Sequence, residues 1–257
     1  TDRSRGLGDV YKRQLLISIF KCIIISLLHS WSKHMQTQFI AEIIVSIDER
    51  LLGVELLTRF ITSDGRPLHP EFVISSWDLD RKRLFLYEQC GNIAIKQTWF
   101  EQKNLFCTLN IDQQMAFLIR HDYILRQTFE SMPFIKLELS EHFPGLDKGL
   151  KSPLLKSLSQ GVNGLWLDDL GAGNANVVSL MEGYFEVVKV DRCFFNEQVQ
   201  KPTFYPLIAS IQKHCGKVII EGIENREHLR ILREVGIWGL QGYLFKSVPF
   251  KNVDLLL

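Results

Sequence analysis

From Met35 onward, short apolar runs rich in β-branched residues alternate with longer segments of helical periodicity. The runs predict strands at 42–48 (EIIVSID), 53–60 (GVELLTRF), 105–111 (LFCTLNI) and 134–140 (FIKLELS). Four more follow at 165–170 (LWLDDL), 186–192 (EVVKVDR), 217–222 (KVIIEG) and 239–245 (GLQGYLF). Helical patterns fall at 112–131, 174–185, 203–215 and 225–235, the last with Asn225 as its N-cap. Only residues 49–52 join the first two strands, too few for a parallel crossover, so that pair must be antiparallel. Every later pair is separated by enough chain for a helix. The pattern therefore predicts an α/β fold, a TIM-type (β/α)8 barrel modified by one reversed strand.

Polar residues are set into these apolar runs: Glu55, Asn110, Glu138, Asp168 with Asp169, Lys189, Glu221 and Gln241. After Asn110 they recur at intervals of 28, 30, 21, 32 and 20 residues, close to one per βα unit. Parallel barrel strands are covered on both faces, so an isolated carboxylate there is costly unless it is paired. A single such residue reads as a satisfied structural group. A series on successive strands converges at the C-terminal mouth, where barrel enzymes place their chemistry.

Glu55, Glu138, Asp168, Asp169 and Glu221 bring five negative charges to that mouth, which cannot all stay ionised without cations. Two divalent ions and Lys189 would balance them. The candidate ligands are hard oxygens and none of these segments holds a histidine, which favours Mg²⁺ or Mn²⁺ over zinc. Two such ions about 4 Å apart can clamp both oxygens of an in-line phosphoryl displacement. Arg59, four residues beyond Glu55, could hold a phosphate as a bidentate partner, with a solvated arginine at a strand end as the alternative. A rival motif, Gly171-Ala172-Gly173 with Asp191 twenty residues on, partly imitates a dinucleotide fingerprint. Asn176 stands where its third glycine belongs, and Asp168 and Asp169 would repel a pyrophosphate.

Composition narrows the partners. The 257 residues carry a net charge of +1, which argues against a duplex nucleic-acid binder, and 46% apolar content excludes disorder. Five widely spaced cysteines fit a reducing, cytoplasmic setting better than a disulfide framework. Residues 1–34 are unlike the rest: six Lys/Arg against two Asp/Glu, with an apolar stretch over 15–28 that is too short to span a bilayer. The opening TDRSRGLGDVYKRQ resembles a translated sequencing adapter. The expectation is a non-native or untranslated leader over 1–34, a domain over 35–257 and no membrane attachment.

Over residues 36–257 the motifs resemble the EAL-domain family of cyclic di-GMP phosphodiesterases. Glu55-Leu56-Leu57 matches the Glu-Ala-Leu signature, with Arg59 on the substrate-binding arginine. Asn110 in LNI, Glu138 and Glu141 in ELSE, and DDLGAG from Asp168 to Gly173 follow in order. Lys189 in VKVDR, Glu221 and Glu224 in EGIE, and Gln241 in QGYLF complete the series. The resemblance implies hydrolysis of cyclic di-GMP to linear pGpG, with two Mg²⁺ or Mn²⁺ ions and inhibition by Ca²⁺. It implies metal ligation by Glu55, Asn110, Glu138, Asp168 and Asp169, and substrate contact by Arg59 and Gln241. Glu221 would deprotonate the attacking water, Lys189 would steady it, and Glu141 and Glu224 would support the site from behind.

Such activity would lower cyclic di-GMP and so bear on motility and biofilm switching, and a homodimer is implied. The family also contains inactive members that act as cyclic di-GMP sensors or as protein-binding regulators of flagellar transcription. This chain departs from the pattern at Leu56, Ser140, Leu170 and Ala172, and Val248 displaces a proline to Pro249. The Leu170/Ala172 pair lies in the loop that couples family dimers to metal binding, and Ala172 removes a hydroxyl there.

Overall fold

The computed structural model describes residues 35–173 and 180–256. The expected leader over 1–34 lies outside the described residues, as does the first half, 174–179, of the helix expected over 174–185.

β1 (Met35–Ser46) and β2 (Leu51–Thr62) form the hairpin that the short connection requires, paired antiparallel from Met35↔Thr62 to Val45↔Leu51. Glu49 turns the chain with a left-handed φ of 60°. The sheet then runs through β4 (Phe106–Asn110), β5 (Ile135–Ser140), β6 (Leu165–Leu170), β7 (Val187–Val190), β8 (Lys217–Ile220) and β9 (Gly239–Gln241). All neighbours from β2 to β9 are parallel, and β9 pairs antiparallel with β1, closing the barrel. β1 is thus the one reversed strand of eight. Two short strands extend the sheet outside the closure: β3 (Pro67–Leu68) on β2 and β10 (Val248–Pro249) on β1.

Several boundaries differ from the sequence pattern, each for a local reason. β1 begins seven residues earlier than expected, because the polar residues from Gln36 to Gln38 alternate on a strand still paired with β2. β9 stops at Gln241, where Gly242 takes a φ of 143° against the backbone of Ile223. The long crossover after β2 holds α1 (Pro70–Ser75), α2 (Leu79–Ile95) and α3 (Gln97–Lys103). The pattern over 112–131 is two helices, α4 (Gln113–His121) and α5 (Tyr123–Ser131). Asp122 separates them: its backbone is extended, and its Oδ1 accepts the amide of Leu125 at 3.0 Å as the cap of α5.

The other Asp122 oxygen accepts the Tyr87 hydroxyl at 2.9 Å and lies 3.3 Å from Arg83 Nε on α2. Asp122→Ala is therefore expected to cost about 2–3 kcal/mol, a lost cap plus a lost charge-assisted hydrogen bond. Urea denaturation reads that difference directly, and a change below about 0.5 kcal/mol would contradict this account.

After β5 comes α6 (Pro153–Gly161); α7 (Arg192–Gln198) follows β7 and α8 (Phe204–Gln212) precedes β8. α9 (Leu229–Glu234) is shorter than expected. Asn225 does not cap it but accepts the amide of Glu227 in a local turn. Asp191 caps α7 by accepting the amide of Phe194 at 2.9 Å, which is a structural use of the residue that imitated a dinucleotide fingerprint. No helix among the described residues is long and apolar enough to cross a membrane.

Candidate metal centre

The barrel interior is built in layers of period two. Ile44, Trp166, Val187 and Ile219 form an apolar plug, with Phe106 and Trp238 packed against it. Side chains two residues apart share one face of a strand. Asp168, Lys189 and Glu221 therefore stand above the plug on β6, on β7 and just past β8; on β4 the same step leads from Phe106 through Thr108 to Asn110. Glu138 stands level with Asn110 and Glu55 with Thr108 in the strand registers. On the reversed strand the mouth lies toward the N-terminus, so the corresponding residue precedes Ile44. It is Glu42, directly opposite Glu55 in the β1–β2 register. This acidic residue is missing from the sequence-derived set.

Lys189 is the hub. Its Nζ lies 3.0 Å from Glu55 Oε2, 3.2 Å from Glu138 Oε2, 3.0 Å from Asp168 Oδ1 and 2.8 Å from Glu221 Oε1. Glu55 also accepts from Gln241 Nε2 at 2.6 Å and from Asn110 Nδ2 at 2.5 Å. Lys189, Glu55, Glu138, Asp168 and Gln241 are buried, whereas Asn110 is exposed at the rim.

The electrostatics follow from one cation facing many anions in low dielectric. Burial works against the Lys189 ammonium, but Asp168, Glu138, Glu221 and Glu55 together hold its pKa well above the lysine range. Burial also opposes ionisation of Glu55, yet Lys189, Gln241 and Asn110 keep its pKa below the usual carboxylate value. Glu138 and Glu221 go the other way, pushed well up by burial, with Glu55 adding to the first and Asp168 to the second. Burial and the neighbouring Asp168 raise Asp169 to about 6. Glu42 is raised by burial and by Glu55, against the pull of Lys189, Gln241 and Arg59.

Adjacent residues of a regular strand point to opposite faces, so Asp168 and Asp169 could not both reach the mouth from one. The chain solves this with an irregularity. The β6–β7 register shifts between Leu167 and Leu170, and Asp169 adopts a left-handed φ of 58°. Such strain in a non-glycine residue costs on the order of 1–3 kcal/mol and persists only where surroundings hold it. Glu141 supplies part of that hold by accepting the Gly171 amide at 3.0 Å.

Two carboxylate groups result: Glu55, Glu138 and Asp168 in one, Asp168, Asp169 and Glu221 in the other. Within each, an oxygen from every member lies within 4.8 Å of the others. Asp168 belongs to both. The donors are all hard oxygens, suited to Mg²⁺ or Mn²⁺, and Gln241 Oε1 is buried with no hydrogen-bond partner. The donor set therefore fits a pair of hard divalent cations.

Two expected residues do not join this cluster. Glu224 is about half exposed and pairs with Arg192 at 2.6 Å. Gly222 explains that separation, since its φ of 65° swings the chain away after Glu221 and a side chain there would strike Arg192. Arg59 is exposed on the mouth side of β2, four residues past Glu55 and opposite Gln38.

Known proteins agree with this architecture. A protein from Escherichia coli (strain K12) named putative anti-FlhC(2)FlhD(4) factor YdiV is 32% identical over 217 residues, covering 80% of this chain and 89% of its own. The crystal structure of the EAL-like domain protein YdiV superposes with a TM-score of 0.78 at 31% identity, covering 87% of this chain and 97% of that one. The cyclic di-GMP complex of the PaMucR phosphodiesterase shares the fold at a TM-score of 0.64 and 20% identity, over 86% of this chain and 94% of that one. The EAL domain model matches residues 29–247, and with the barrel and its acidic mouth in place, this chain belongs to the EAL domain family.

Proposed function

We propose that this chain is a regulator of flagellar gene expression that acts by binding a transcription-controlling protein complex rather than by turnover. The observation that carries this reading is the likeness to YdiV, in sequence over 80% of this chain and in fold over 87% of it. That relative is named for its action against FlhC(2)FlhD(4). The altered loop at Leu170 and Ala172 points the same way. Purified chain mixed with FlhC(2)FlhD(4) is expected to co-elute in gel filtration as a stoichiometric complex. Separate elution at micromolar concentrations, together with steady production of pGpG from cyclic di-GMP, would overturn it.

A second reading, metal-dependent hydrolysis of cyclic di-GMP, is favoured by one observation: the two carboxylate groups that share Asp168. In it Glu55, Asn110, Glu138, Asp168 and Asp169 would hold two Mg²⁺ or Mn²⁺ ions, which would supply Lewis acidity. Glu221 takes the proton of the attacking water, Lys189 stabilises developing negative charge, and Arg59 and Gln241 hold the substrate. Ca²⁺ would occupy the same carboxylates unproductively. Under this reading Glu221→Gln lowers kcat by roughly 10²–10⁴, the usual worth of a general base. Chromatography of pGpG after incubation with Mn²⁺ measures it, and unchanged turnover would remove Glu221 from that role.

A further inference from the structure

We propose that Glu42 sets the ligand class of this mouth: its carboxylate makes the cavity one that admits cations and turns away phosphodiesters. The inference rests on the reading of the chain as a regulator that does not turn over cyclic di-GMP, and gives that reading a physical cause.

The placement comes from strand geometry. β1 is the reversed strand, so stepping two residues from Ile44 of the plug toward the mouth leads back to Glu42. There it stands half-buried opposite Glu55, with the Gln241 side chain against it and Lys189 and Arg59 within electrostatic reach. Glu55 and Arg59 lie on one face of β2, four residues apart. An anion held by Arg59 beside ions on Glu55 would therefore sit in the field of Glu42.

Charge counting shows why one residue decides the outcome. Glu42, Glu55, Glu138, Asp168, Asp169 and Glu221 face two cations, Lys189 and Arg59. Bound divalent ions favour the ionised carboxylates; with all six ionised the mouth carries four negative charges, which two such ions only neutralise. Nothing is left to attract a ligand that carries two phosphodiester charges of its own. A neutral residue at 42 leaves the loaded mouth one positive charge. At the few-ångström separations of a barrel mouth, and with an effective dielectric constant of about 20, one charge shifts anion affinity by at least about tenfold.

The plainer alternative is that Glu42 merely packs against Gln241 without affecting ligands. Isothermal titration of cyclic di-GMP in the presence of Ca²⁺ separates the two. Glu42→Gln keeps the shape and removes the charge, and is expected to bind at least about tenfold more tightly than the parent. Adding Arg59→Ala to that variant should erase the gain. Glu42→Ser serves as a second neutral variant should the first melt well below the parent. Equal affinity in parent and neutral variants, including no binding by either, would overturn the proposal. Co-elution with FlhC(2)FlhD(4) on the same preparations reports separately on the regulator: a parent that fails to co-elute sinks that reading, while the affinity ratio still judges Glu42.

Discussion

Lys189→Met is expected to destabilise the barrel by about 3–5 kcal/mol, the usual cost of removing one partner from a buried charge cluster. Methionine preserves the length of the stem, so packing around the plug is nearly unchanged. What is lost is the only cation within 3.2 Å of Glu55, Glu138, Asp168 and Glu221 among the described residues. These carboxylates would then face one another in a site from which water is largely excluded, and some must take up protons for the chain to fold. The pH dependence has a definite sign. Glu138 and Glu221 already have folded-state pKa values raised by burial. The unfolded chain releases these protons above about pH 4.3 while the folded chain retains them, so this contribution falls as pH rises through that value. Removing Lys189 raises the folded values further, and the deficit should be smallest near pH 4 and largest near pH 8. Denaturant titrations at those two pH values check it. A variant as stable as the parent at pH 8 would mean that Lys189 does not neutralise the cluster.

How much of this was legible beforehand varies with the physics involved. The reversed strand could be read from a four-residue connection, because chain length alone forbids a parallel return. The interior acids could be read because polar residues in doubly covered strands stand out against their neighbours, and the structure gathers Glu55, Asn110, Glu138, Asp168, Asp169, Lys189, Glu221 and Gln241 at one mouth. Glu42 escaped for a specific reason. On parallel strands the mouth lies at the C-terminal end, whereas on the reversed strand it lies at the N-terminal end. The signal was present in the sequence, as the reversal and the glutamate that opens EIIVSID were both visible.

Other features depend on tertiary context. The 112–131 pattern carries continuous helical periodicity, and only the contacts of Asp122 with Tyr87 and Arg83 show why the chain breaks there. The left-handed turn of Asp169 leaves no mark in hydrophobic periodicity. Neither does the departure of Glu224 toward Arg192, since a motif string records spacing but not the direction in which Gly222 sends the chain. Function divides in the same way. The string of ligand types points to what the mouth can hold, whereas use of the domain depends on surfaces and partners that the string does not encode. That is why likeness to YdiV shifts the reading from turnover toward protein binding.

Asp168→Asn is expected to abolish binding of divalent cations at both positions, weakening it by more than about 100-fold. The prediction follows from a single geometric fact: Asp168 contributes to both carboxylate groups, whereas Glu55, Glu138, Asp169 and Glu221 each contribute to one. Asparagine keeps the shape and one oxygen but removes the charge that two cations would share. It also relieves repulsion in the metal-free cluster, so the fold should survive. Binding read without reference to activity gives the cleanest test. For the parent, Mn²⁺ at about 100 times its dissociation constant should add roughly 2.7 kcal/mol of stability per site, visible as a rise in melting temperature. Asp168→Asn should show almost none of that rise at the same concentration, while Glu221→Gln, which touches only one group, should keep about half. Equal rises in the parent and in Asp168→Asn would show that the ions bind elsewhere. No rise in the parent would show that the cluster is held by Lys189 alone and takes no metal.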